Sequence, residues 1–216
     1  MIDLKLIEKC EENLSKKFKY IEDVALFNQE KVLNAFKKNQ IALRHFVGTS
    51  GYGYGDEGRD TLNNLFADVF GSESAICSPS IASGTHALTL CLFVLLRPND
   101  KVLSVSGTPY DTLNDVINGD GIGSLKDFKI EFECLNLRNG DFDYKNIADK
   151  ITKNQYKMLY LQRSRGYEWR DALSISQIEK LVKFVRELGY KGIIMLDNCY
   201  GKKKKKQEAT EVGVNV

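Results

Sequence analysis

The stretch SGTHALTLCLFVLLRPNDKVLSVSGTPYDTL, residues 83–113, decides the fold. It opens on Ser83-Gly84-Thr85, which reads as a helix start, and continues as an apolar helix from His86 to Leu96. Arg97-Pro98-Asn99-Asp100 ends that helix, because Pro98 cannot continue it. Lys101–Ser106 (KVLSVS) then reads as a strand and Tyr110–Ile117 as the next helix. Upstream, Ser74–Ser78 (SAICS) predicts a short strand. Downstream, Gly119–Gly123 reads as a loop, and Lys129–Leu135, Tyr156–Leu161 and Gly192–Leu196 predict strands. Tyr144–Ile151 and Ile175–Gly189 predict helices, the second capped by Ser174. Strands alternating with helices indicate an α/β domain with a mostly parallel sheet. Ligands of such sheets sit beyond the carboxyl ends of the strands.

Toward the N-terminus the pattern changes. From Leu4 to about Lys38, apolar residues recur at three- and four-residue steps, which predicts two helices or one broken helix. Gly48–Gly58 (GTSGYGYGDEG) reads as a loop, and Arg59–Phe70 as a helix with Gly71 as its C-cap. The chain has 216 residues, 43% of them hydrophobic and 28% charged, an ordinary globular composition. Its net charge of +2 is too small to point to nucleic acid as the main partner. The longest nearly apolar run, Ala87 to Leu96, falls far short of the roughly 20 residues of a spanning helix, so no membrane role is expected. The first ten residues do not read as a signal peptide. Cys10, Cys77, Cys91, Cys134 and Cys199 form no CxxC pair and read as reduced thiols of a cytoplasmic protein. His45 and His86 are isolated, which excludes a multi-histidine metal site.

Four loops carry candidate chemistry. Ser83, Gly84 and Thr85 sit at the positive end of a helix, where free N–H groups and two hydroxyls suit a phosphate; an ordinary N-cap fits the same residues. Asp197 ends the apolar strand Ile193–Leu196, so its carboxylate needs a cationic or hydrogen-bonding partner, such as a protonated ring nitrogen. An Asx-turn aspartate is the alternative there. Tyr110, after the strand KVLSVS, offers a ring for stacking on a flat ligand, or is a surface residue in a turn begun by Pro109. Arg163, Arg165 and Arg170 follow another strand and suit an anion, or form a solvated basic loop. Gly53–Gly58 matches GxGxxG, but Ile41–Val47 before it is a poor strand, so a dinucleotide site is not expected. Lys202–Lys206 reads as a solvated surface run.

The order of these loops is similar to that of fold-type I pyridoxal-phosphate enzymes, and the wording resembles one branch of them. That branch is the methionine gamma-lyase-like family, also called the aluminium-resistance or cystathionine beta-lyase-like family. The resemblance rests on HFVGTSGYGYGDEGRDTL, FADVFGSESAI, SGTHALTL, LRPND, PYDTL, GSLKDF, QRSRGYEWR, LDNCYG and TEVG, and covers the chain from about Lys31 onward. It implies a three-layer α/β large domain over residues 48–216, preceded by an N-terminal helical arm over residues 1–47. It implies pyridoxal 5′-phosphate as cofactor and carbon–sulfur lyase activity on a sulfur-containing amino acid, in a homo-oligomer. By position, Ser83, Gly84 and Thr85 would bind the cofactor phosphate, Tyr110 would stack on the ring, and Asp197 would pair with the ring nitrogen. Tyr54 resembles, more loosely, a tyrosine that a neighbouring subunit lends to the phosphate. The family's Schiff-base lysine would fall shortly after Thr210-Glu211-Val212-Gly213 and so beyond Val216, with the small C-terminal domain. The chain therefore reads as an N-terminal fragment, expected to be inactive alone and poorly soluble; a non-catalytic remnant or interaction module is the competing reading.

Overall fold

Asp3 accepts the amides of Lys5 and Leu6 and so starts a helix, α1 (Leu4–Lys38), that runs unbroken for 35 residues. The expected break is absent because the segment contains neither Gly nor Pro. The structure, a computed structural model, describes residues 3–48, 54–120, 123–199, 201 and 206–216. Parts of the expected loops at Gly48–Gly58 and Gly119–Gly123, most of Lys202–Lys206 and Tyr200 lie outside the described residues. Asp56 caps α2 (Glu57–Phe70) through the Arg59 amide, and Gly71 closes it at φ +63°, a left-handed conformation that glycine adopts without strain. Ala35 of α1 packs against Leu65 and Val69 of α2. Asp68 holds the pair together by accepting from Lys38 at 2.5 Å and from Asn39 at 2.8 Å.

Ser74–Ser78 is not a strand, a correction to the sequence reading. A strand exists only through its ladder, and among the described residues none pairs with this segment. Its Cys77 amide is bonded instead to Asn63 Oδ1 of α2 at 2.7 Å, and Ile76 is 80% exposed.

From Ser83 onward the alternation holds: α3 (Gly84–Leu95), β1 (Lys101–Ser104), α4 (Asp111–Asn118), β2 (Glu131–Cys134), α5 (Tyr144–Lys153), β3 (Met158–Gln162), α6 (Ile175–Glu187) and β4 (Ile193–Asp197). All four strands are parallel, in the order β2-β1-β3-β4. β3 and β4 read as continuous apolar runs because both faces of the sheet are covered. On one face Leu92 and Leu96 at the end of α3, with Leu113 and Ile117 of α4, pack on Val102, Met158, Tyr160 and Met195. On the other, Ile147 of α5 and Ile178, Leu181 and Val185 of α6 pack on Leu103, Leu159, Leu161, Ile194 and Leu196. The result is a three-layer α/β architecture. At the β4 side, the Asn215 amide donates to Ile194 O at 2.9 Å and the Leu196 amide to Val216 O at 2.8 Å, so residues 215–216 run beside β4. No described helix is long and apolar enough to cross a membrane.

The strand order places a crevice. After β1 the chain passes to α4 on one face, and after β3 it passes to α6 on the other, although the two strands are neighbours. Loops that leave adjacent strands in opposite directions open a cleft at their carboxyl ends, the usual ligand position of such sheets.

Candidate active site

Ser83 caps α3: its hydroxyl accepts the His86 amide at 3.0 Å and its carbonyl accepts the Ala87 amide. Two amides remain, those of Gly84 and Thr85, and neither meets an acceptor among the described residues. A Cβ built on Gly84 would meet nothing within 4 Å, so the space over the helix start is open. Ser83 is therefore an N-cap, and the two amides that follow it are left without a partner beside open space.

Thr85 links that helix start to the β1 loop. Its Oγ1 lies 3.2 Å from Tyr110 Oη and 3.2 Å from Thr112 Oγ1. Tyr110 stands where the β1 loop enters α4 and is half-buried rather than a free surface residue. Burial raises its phenol pKa, the Thr85 hydrogen bond opposes that, and the nearby negative charge of Asp197 adds to it. The phenol is therefore protonated at neutral pH.

Asp197 is the last residue of β4 and is 7% exposed. Its Oδ1 accepts the Cys199 amide at 3.0 Å, an Asx turn. The turn and the buried carboxylate are thus the same residue in two roles, because a carboxylate has two oxygens. Register pairs Asp197 with Gln162, and alternation along β3 puts Gln162 on the same face as Tyr160 and Met158. Tyr160 Oη is buried with no hydrogen-bond partner among the described residues. Burial, then the charge of Asp197, hold its pKa far above the ordinary value.

The basic loop after β3 divides. Arg163 is 7% exposed and donates to Leu173 O at 3.0 Å, Asn198 Oδ1 at 2.7 Å and Gly201 O at 3.0 Å. It ties the β3 and β4 loops together, and burial lowers its pKa. Arg170 donates to Ser164 O at 2.6 Å and pairs with Glu168 at 2.9 Å. Arg165 is exposed. All three line a cleft of about 580 Å³ that also takes in Cys199 and Gly201. Tyr54 is 86% exposed, just before α2, and no hydrogen bond joins it to Ser83, Gly84, Thr85, Tyr110 or Asp197. The GxGxxG run lacks its strand, since Leu43–Phe46 before it is a 3₁₀ turn. Among the described residues no cluster of His, Cys, Asp and Glu could hold a metal.

Gln162 and Tyr160 escaped the sequence reading, which weighed the arginines of QRSRGYEWR and passed over the glutamine. The available signal was period two: Met158, Tyr160 and Gln162 share one face of a strand. The donor set fits pyridoxal 5′-phosphate. Two unengaged helix-start amides over open space suit its phosphate, Tyr110 its flat ring, and a buried carboxylate its ring nitrogen.

The sequence profile named methionine gamma-lyase matches residues 3–216. The chain is 40% identical over 202 residues to the uncharacterized Bacillus subtilis protein YnbB, covering 92% of this chain and 48% of that one. It superposes with a TM-score of 0.94 on a Listeria monocytogenes protein described as a cystathionine beta-lyase involved in aluminum resistance, at 42% identity over 98% of this chain and 53% of that one. A carbon-sulfur lyase involved in aluminum resistance from Clostridium novyi gives a TM-score of 0.92 at 41% identity, over 98% of this chain and 51% of that one. The fold is shared with the pyridoxal-5′-phosphate dependent protein YhfS of Escherichia coli, TM-score 0.68 at 16% identity. The chain spans about half the length of these relatives.

Proposed function

The chain belongs to the methionine gamma-lyase family, and from that premise we propose that it binds pyridoxal 5′-phosphate for carbon–sulfur lyase chemistry on a sulfur-containing amino acid. One observation carries the reading: Thr85, Tyr110 and Asp197, from three separate elements, gather over the crevice between β1 and β3. When bound, the cofactor would supply an electron sink for the charge left at the substrate Cα by removal of its proton, ahead of departure of the sulfur-bearing group with its bonding electrons. The chain's own residues do the rest. The Gly84 and Thr85 amides and the Ser83 and Thr85 hydroxyls bind the phosphate at the positive end of α3. The half-buried Tyr110 ring orients the cofactor plane and covers one side of it. Asp197, shielded from water, holds the proton on the ring nitrogen. The test is titration of the chain with pyridoxal 5′-phosphate, followed in the pyridine absorbance band. Saturable binding that falls about tenfold or more in Asp197→Asn is expected, since a charge-assisted hydrogen bond is lost. Absence of saturable binding would reject the reading.

We further propose that copies of the chain associate through α1. Leu4, Ile7, Leu14, Phe18 and Ile21 recur along it at three-, four- and seven-residue steps, all exposed. An apolar stripe of that length on a surface helix is characteristic of a helix-packing interface. In such an assembly the exposed Tyr54 is available to the phosphate of a neighbouring copy.

A further inference from the structure

We propose that Gln162 is the positioning residue that fixes Tyr110 over the β1/β3 crevice, an inference that rests on the reading of Tyr110 as the ring that stacks on the cofactor. Gln162 ends β3, is 5% exposed, and stands in register with Asp197. Its Oε1 accepts the backbone amide of Tyr110 at 3.1 Å, across a sequence separation of 52 residues. Its Nε2 donates to Ser164 O at 3.3 Å, and its own amide donates to Ser106 Oγ at 2.7 Å. The residue that carries the acceptor is thus anchored by two further bonds before any ligand arrives.

Tyr110 needs such a partner. It follows Pro109, which has no amide hydrogen, and it occupies the N-cap of α4 without a side-chain capping bond of its own. The turn before it is pinned further back, where the Gly107 amide donates to Leu135 O at 2.9 Å. With Gln162 at the backbone end and Thr85 at the hydroxyl end, the ring is clamped at both ends. A ring held at one end pivots, and stacking on a flat ligand tolerates little tilt. Glutamate would keep the Oε1 acceptor toward Tyr110 while setting a second carboxylate beside Asp197, so its cost falls on overall stability and not on the Tyr110 amide.

The test uses the 216-residue chain in three versions: Gln162→Met, which keeps the volume but cannot accept strongly, Gln162→Glu, which keeps the acceptor, and Leu159→Val on the opposite face of β3 as a packing control. Amide exchange is read residue by residue without ligand. Tyr110 should lose roughly tenfold protection in Gln162→Met, as one hydrogen bond implies, and retain it in Gln162→Glu and Leu159→Val. In Gln162→Met, bound pyridoxal 5′-phosphate should also show weaker induced circular dichroism, the signature of a loosened ring. Unchanged Tyr110 protection in Gln162→Met would overturn the inference. So would equal loss throughout β4, which would make Gln162 a packing residue, or unaltered dichroism despite an exposed Tyr110 amide. If the wild-type chain bound no pyridoxal 5′-phosphate, the proposed function would fall while the exchange comparison still decided whether Gln162 holds Tyr110.

Discussion

Asp197 accepts a backbone amide with one oxygen and stands buried in register with Gln162, so its charge and its turn can be separated by substitution. Asparagine keeps the Oδ1 acceptor, and Asp197→Asn is expected to fold with the wild-type melting temperature while weakening the cofactor. Gly201 is a different case. A Cβ there would lie 2.1 Å from Arg163 Nη1 and 2.2 Å from Asn198 Oδ1, so the guanidinium occupies the space that any other residue needs. Gly201→Ala should cost about 1–3 kcal/mol in urea denaturation, the usual range for overpacking, and Arg163→Met should relieve part of that cost. Tyr160 offers the opposite sign. Its hydroxyl is buried and unmatched among the described residues, so Tyr160→Phe removes a desolvated group and should be neutral or stabilising by about 1 kcal/mol. A clear loss of stability in that variant would mean the hydroxyl has a bound partner in solution.

At the scale of the element, α3 carries both a structural and a binding signal at its first turn, and the two separate at neighbouring positions. Ser83→Ala removes the cap and should destabilise the chain by about 1 kcal/mol in thermal denaturation. Gly84→Ala adds a methyl into open space at a helical position, so stability should stay equal or rise by up to about 1 kcal/mol. The same methyl stands where a phosphate would approach, and binding of pyridoxal 5′-phosphate should weaken. Greater stability with weaker binding is an outcome that a purely capping role for Ser83-Gly84-Thr85 does not produce. The sequence made this element legible because helix starts are local events: cap, glycine and apolar run are contiguous. Ser74–Ser78 was not legible for the converse reason, since its sequence has strand character but a ladder requires a neighbour.

Across the whole molecule, acid sensitivity should concentrate at a few clasped carboxylates. Glu133 on the edge strand β2 is held below its ordinary 4.5 mainly by the hydrogen bond from Lys150, against desolvation and with a second bond from Tyr156. Asp68, between α1 and α2, is held below its ordinary value by Lys38 and Asn39. A carboxyl that binds its proton more weakly in the folded than in the unfolded chain stabilises the fold above the unfolded pKa, and that contribution is lost as pH falls through the folded pKa. Glu133→Gln should therefore lower stability at neutral pH yet leave it almost unchanged near pH ~3, read as a flattened acid limb in urea titrations. The edge itself is protected by charge, with Glu131 and Glu133 facing Lys101 and Lys150, so association is expected elsewhere. Replacing Leu14 and Phe18 of α1 by lysine should convert an associating chain to monomer in sedimentation velocity. An unchanged sedimentation coefficient would remove α1 from the interface.

The sequence by itself determined the helix starts and stops, the run of short apolar strands from Lys101 onward and the positions of Ser83, Tyr110 and Asp197, each of which follows from capping, proline or periodicity within a few residues. The proposed cofactor came from resemblance to known enzymes and not from any local pattern. Tertiary structure alone decided that α1 is largely uncovered, that Arg163 braces two loops, and that Gln162 reaches Tyr110. It also decided on which side of β1 each later strand lies, and hence where the crevice opens. These outcomes depend on contacts between residues 30 to 180 positions apart, whose energies arise only when strands pair and side chains lose water together, and no local pattern in the chain encodes which partner will be there.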